Sequence, residues 1–142
     1  MKETLFEGFS ESEQDTEQIA IRLAQKLTGG ETIILVGELG AGKTTFTKAL
    51  FKELSVRDLV TSPTFTIMKT YRGRFVVHHL DMYRIGSEDE VEELGLREEI
   101  GDNDITVIEW NKFTDFKGKI FTVILEYLDD NKRKITIEGE IL

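Results

Sequence analysis

The sequence predicts an α/β protein on a central mixed sheet, parallel in its core and antiparallel at its hairpins. Two observations carry that reading. Residues 32–36, TIILV, form a short, continuously apolar, β-branched run, the pattern of a strand buried in a parallel sheet, and a glycine-rich loop and a helical stretch follow it. Further along, pairs of apolar runs enclose short polar turns, the pattern of β-hairpins.

In chain order, residues 4–9 suit a short strand. Ile19, Leu23 and Leu27, with Ala20 and Ala24, then recur at helical spacing and make one apolar face. Ser10 and Glu13 fit a capping box, which predicts a helix starting near them, and Thr28-Gly29-Gly30 ends it. After the TIILV strand and the glycine loop, Phe46, Ala49, Leu50 and Leu54 give a second helical face. TFTIMKTY and FVVHHLD flank Arg72-Gly73-Arg74 and predict a hairpin. Ser87 and Glu90 cap a short acidic helix, EDEVEEL, which reads as a solvated face. DITVIEW is another apolar strand, and KIFTVILEYL and RKITIEG enclose Asp129-Asp130-Asn131 as a last hairpin.

The chain has 142 residues, which fits one domain over residues 1–142. It carries 18 Lys and Arg against 27 Asp and Glu, a net charge of −9. That balance argues against autonomous binding to a phosphate backbone. Lys132-Arg133-Lys134 is a local exception and reads as a solvated hairpin tip. There is no cysteine, so disulfides and thiolate metal sites are excluded. No signal-like segment and no apolar run of membrane-spanning length occurs, so a cytoplasmic protein is expected.

The loop GELGAGKT meets the signature G-x-x-x-x-G-K-[ST] with Gly37, Gly42, Lys43 and Thr44. Its place between a buried strand and a helix is the arrangement that phosphate binding needs. Glycines let backbone N–H groups turn inward around phosphate oxygens, and the helix N-terminus adds partial positive charge. Lys43 is expected to reach the β- and γ-phosphates, and Thr44 to turn its hydroxyl to Mg²⁺. With this loop the fold expectation sharpens to a P-loop NTPase-like three-layer α/β/α arrangement.

Phosphoryl transfer also needs acidic groups for metal and attacking water. Asp81 closes FVVHHLD and Glu109 closes ITVIE, and ligands of open α/β sheets gather at the carboxyl ends of strands. Either acid can serve the metal or the water on this reading. Pro63, the single proline, lies in Ser62-Pro63-Thr64-Phe65, and Thr64 is a switch candidate that would sense the γ-phosphate, against a plain strand-entry turn. His78 and His79 are adjacent on a strand, so their rings face opposite sides and do not share a metal; one belongs in the core or near the site.

A guanine-specific enzyme does not fit. NKFTD has one residue too many for N-K-x-D, and Asp81 is followed by MYR rather than by a D-x-x-G switch. ATP is therefore the expected nucleotide. A small-molecule kinase and a nucleotide-dependent regulatory binding module are the alternatives.

GELGAGKTT, SPTF, HLDMYR and VIEW together resemble, in order and spacing, the bacterial TsaE family, ATPase components of tRNA threonylcarbamoyladenosine synthesis. The likeness runs from about the first helix to the last hairpin. It implies a P-loop ATPase that hydrolyses Mg-ATP to ADP and phosphate and supports turnover of a TsaB–TsaD complex. That complex modifies the adenosine next to the anticodon, so tRNA is met indirectly. Carried over by motif, Glu38, Leu39, Gly40, Ala41, Gly42, Lys43, Thr44 and Thr45 hold the phosphates. Thr44 and Glu109 are the implied Mg²⁺ ligands, Asp81 the implied acid near the γ-phosphate, and Trp110 lies beside the nucleotide or partner surface. Glu13 and Arg133 are the closest matches to an N-terminal residue and a hairpin arginine that line the nucleotide. Hydrolysis is expected to be slow alone and faster with the partner complex.

Overall fold

The structure, a computed structural model, describes residues 2–38, 40–61, 63 and 66–141. Seven strands form one sheet: β1 (Glu3–Ser10), β2 (Thr32–Val36), β3 (Met68–Arg72), β4 (Val76–Asp81), β5 (Ile105–Glu109), β6 (Lys119–Asp129) and β7 (Lys132–Ile141). Their order is β1-β7-β6-β2-β5-β4-β3. β2 pairs in parallel with β5 and β6, and β5 with β4; β1–β7, β6–β7 and β3–β4 are antiparallel. The helices are α1 (Glu13–Gln25), α2 (Lys43–Glu53) and α3 (Glu88–Glu93).

Side-chain alternation divides the core. On one face of the sheet Ile33, Leu35, Val107, Phe121 and Val123 meet Ile19, Leu23, Leu27, Phe46, Leu50 and Leu54 from α1 and α2 in one buried cluster. The predicted helical faces are the buried ones, with Phe51 and Thr47 added on α2. Each fully buried Leu or Phe contributes about 1.5–3 kcal/mol. On the opposite face a smaller cluster joins Leu80 and Ile108 to Met82, Ile85, Phe113 and Val91 of α3. Elsewhere α3 is solvated, as expected.

Three details of the sequence reading change. The cap of α1 is Ser12, whose Oγ accepts the Asp15 N–H at 3.1 Å; Ser10 is instead buried at the end of β1, 2.7 Å from Thr16 Oγ1. Pairing with β7 as far as Ser10↔Arg133 extends the strand past the point where propensity begins the helix. Helix α1 stops at Gln25, before the glycines, and Glu31 closes the following loop by accepting the N–H groups of Thr28 (2.8 Å) and Gly29 (2.7 Å). A 3₁₀ turn, Leu96–Glu99, follows α3 without any expectation for it.

The β3–β4 turn lies one residue later than expected, over Gly73-Arg74-Phe75, because Arg72 is paired with Val76. It serves the end of α2: Arg74 N–H donates to the Leu54 carbonyl at 2.7 Å, satisfying one of the last carbonyls of the helix. Gly73 lies so close that a Cβ there would stand 2.4 Å from that carbonyl oxygen. Next to this turn on β4, His78 has its Nδ1 2.9 Å from Thr70 Oγ1 and its Nε2 2.7 Å from Asp104 Oδ2. For Asp104, burial pushes the pKa up, but hydrogen bonds from His78 and the Gly101 N–H, with the charges of His78 and Arg72, outweigh it and hold the carboxyl below its ordinary 3.8.

Gly73→Ala is expected to lower the unfolding free energy by about 1–3 kcal/mol, read as a lower urea midpoint. For Asp104 the unfolded chain binds its proton more tightly than the folded one. Its stabilisation is therefore present above the ordinary value of 3.8 and is lost as pH falls through the lower folded value. Acid titrations followed by circular dichroism should accordingly show a smaller acid-induced loss of stability for Asp104→Asn than for the parent.

Candidate functional site

The parallel register brings the site together. Glu109 stands opposite Leu35 of β2 on one side and Asp81 of β4 on the other, so both acids lie at the strand ends where the glycine loop begins. Gly37 is packed tightly against β6, since a Cβ there would be 2.7 Å from the Leu125 carbonyl oxygen. Gly42, with φ of 102°, occupies the N-cap of α2 in a left-handed conformation that suits glycine. No side chain caps that helix and its first turn carries no acid. Its leading N–H groups have no partner within the helix and point towards a cleft of about 1060 Å³.

Glu38, Gly40, Gly42, Lys43, Thr44 and Thr45 line this cleft from the loop; Ala41 is buried beneath it instead. Asp81, Glu109 and Trp110 line it from the sheet, Glu13 from the start of α1, and Arg133 from the last hairpin. Leu39 and Thr64 lie outside the described residues. Next to Thr64, however, Pro63 is buried and its carbonyl accepts the Ile67 N–H at 2.8 Å, while the Ile67 carbonyl accepts the Asp81 N–H at 2.8 Å. Ile67 thus links the Pro63 carbonyl to the Asp81 backbone.

Lys43 Nζ lies 3.9 Å from Glu109 Oε1 and 4.6 Å from the centre of the Trp110 ring. The ammonium is therefore held between a carboxylate and an aromatic face at the loop's own lysine. Glu109 Oε2 lies 2.8 Å from His79 Nε2. Asp81 is buried, and its Oδ1 accepts the Tyr83 N–H at 3.0 Å. Tyr83 and Trp110 meet edge to face at 5.1 Å on the rim, both solvent-exposed. Trp110 takes φ of 56°, an uncommon conformation for a non-glycine residue, so the backbone turns sharply just after Glu109. Arg133 Nε donates to the Gly40 carbonyl at 3.2 Å, tying the last hairpin to the loop.

The oxygen donors of Thr44, Asp81 and Glu109 in one cleft fit a hard cation such as Mg²⁺. His78 is not part of this site, whereas His79 reaches it through Glu109. The sequence reading allowed one histidine near the site without saying which, since alternation alone does not tell which face the cleft uses. Ser10, Thr16, Asp130 and Asn131 also line the cleft. Nothing local marks them, because tertiary closure of distant segments brings them there.

A family description, "Threonylcarbamoyl adenosine biosynthesis protein TsaE", matches residues 10–137. Curated relatives described as "tRNA threonylcarbamoyladenosine biosynthesis protein TsaE" include one from Aquifex aeolicus, 42% identical over 142 residues, covering 95% of this chain and 97% of that protein. Another, from Treponema pallidum, is 35% identical over 130 residues, covering 90% and 96%. The crystal structure of YdiB from Bacillus subtilis superposes with a TM-score of 0.75 at 27% identity, covering 98% of this chain and 87% of that one.

Proposed function

Since the chain belongs to the TsaE family, with its role in tRNA threonylcarbamoyladenosine biosynthesis, we propose that it is a P-loop ATPase that hydrolyses Mg-ATP to ADP and phosphate in support of a TsaB–TsaD complex. The observation that carries this reading is the grouping of Lys43, Asp81 and Glu109 at the mouth of an uncapped helix N-terminus. On this reading β2, the glycine loop and α2 act as the core of a P-loop NTPase-like α/β/α layering.

The loop backbone and the first turn of α2 bind the phosphates through N–H groups and the helix dipole. Lys43 leaves the Glu109–Trp110 pair to neutralise the β- and γ-phosphates. The Thr44 hydroxyl and the Glu109 carboxylate would hold Mg²⁺, which would add charge neutralisation on the phosphate oxygens. Asp81 and Glu109 are the carboxylates able to orient the attacking water and accept its proton. Glu13, Arg133 and Trp110 bound the nucleotide beyond its phosphates, and Thr64 serves as the γ-phosphate switch. The acidic chain leaves contact with tRNA to its partners, in the cytoplasm.

Lys43→Ala is expected to weaken ATP binding by about 10- to 100-fold in calorimetry, the worth of one charge-assisted hydrogen bond. Asp81→Asn and Glu109→Gln should retain binding and lose turnover by about 10²–10⁴-fold in a phosphate-release assay. Wild-type turnover in both would remove them from the chemistry, and a phosphorylated acceptor in place of free phosphate would make the protein a kinase. Turnover should rise when TsaB–TsaD is added, and modified tRNA per TsaD should rise with this protein and ATP present. Equal rates with and without the complex would overturn the partner assignment.

A further inference from the structure

His79 is buried to 2% exposure, beneath the site rather than in it. It sits on β4 two residues before Asp81 and opposite Val107, itself two residues before Glu109. Side-chain alternation therefore sets its ring on the same sheet face as both acids, one layer deeper. The ring meets Phe51 of α2 edge-on at 5.5 Å, which fixes its plane. Its Nε2 lies 2.8 Å from Glu109 Oε2, and its Nδ1 is buried without a hydrogen-bond partner among the described residues. A buried imidazole with one unused nitrogen is an unusual arrangement to keep, because buried polar atoms are normally paired. Here the one bond the ring makes is to the carboxylate at the centre of the cleft.

We propose that His79 is a positioning residue for the Mg-nucleotide site: its Nε2–H holds Glu109 Oε2 so that Oε1 alone faces Lys43 and the cation. This rests on the reading of the cleft as an Mg-ATP site. The geometry is one-sided. A carboxylate accepts, so Nε2 carries the hydrogen it shares with Glu109, and Nδ1 has no hydrogen-bond partner among the described residues. Glu109 has several rotatable bonds, and ordering a glutamate side chain costs conformational entropy. His79 bears that cost before any ligand arrives, and it fixes which oxygen faces Lys43 at 3.9 Å. Without the bond, the carboxylate is free to turn its oxygens away from the cation. Hydrogen bonds to ligating carboxylates are typically worth 10–100-fold in metal affinity.

The test compares His79→Phe, which keeps an aromatic ring against Phe51 but has no N–H, with His79→Gln, whose amide nitrogen lies as many bonds from Cβ as Nε2 does. Trp110, the single tryptophan, reports binding of a non-hydrolysable ATP analogue by its emission, with and without Mg²⁺. For His79→Phe the Mg²⁺ concentration giving half-maximal enhancement of binding is expected to rise about 10- to 100-fold. Its Mg²⁺-free affinity should be unchanged, and His79→Gln should restore most of the Mg²⁺ response. A parental Mg²⁺ response in His79→Phe overturns the proposal, as does an equal loss in both variants, which marks a purely structural ring. Nitrogen chemical shifts of the unaltered protein are expected to give the Nε2–H tautomer; an Nδ1–H tautomer overturns the proposal even if the phenylalanine variant does not fold. If instead the parent binds nucleotide with no Mg²⁺ response at all, the Mg-ATP reading of the cleft falls, and this proposal falls with it.

Discussion

Because β5 pairs in parallel with β2 on one side and β4 on the other, Glu109 is locked between Leu35 and Asp81. The rest of the site follows from that register. A slip of one residue in either ladder would turn one of the acids to the opposite face, since successive side chains alternate. The register is itself held by packing: Ile33 and Val107 are fully buried under α1 and α2, and Leu80 and Ile108 are buried on the other face. The core therefore sets the relative position of two charged groups that no local interaction would bring together.

Around Glu109 the electrostatics are shared rather than paired. One oxygen meets the His79 ring and the other a lysine, while the lysine also lies over Trp110. Lys43 thus has two weak partners at 3.9 and 4.6 Å in place of one tight salt bridge. Such a lysine is ordered but inexpensive to move. The start of α2 is similarly open, because Gly42 offers no side-chain cap and the first turn carries no acid.

Much of this was legible beforehand. The faces of α1 and α2, the TIILV strand and the Ser87 cap follow from periodicities and capping rules that act over a few residues. The Ser10 cap failed because β7 recruits that residue into a strand, and only the fold supplies β7 as a neighbour. The hairpin turns were placed but not delimited: the first lies one residue later than drawn, since Arg72 pairs with Val76, and the last is one residue narrower, since Asp129 pairs with Lys132. In the cleft, the loop residues were legible because their chemistry is encoded in consecutive positions. Ser10, Thr16 and Asn131 were not, because they reach the cleft from opposite ends of the chain.

By itself the sequence determined that a glycine-rich loop joins a buried strand to a helix, that two acids end apolar strands, and that two adjacent histidines point apart. Those are short-range facts, written in residue type and spacing. Only the tertiary structure decided that His79 rather than His78 serves the acids, that Arg133 reaches back to Gly40 across the fold, and that Asp81 and Glu109 share one face. The physical reason is that alternation along a strand says which residues share a side, while the packing of α1 and α2 decides which side becomes the site.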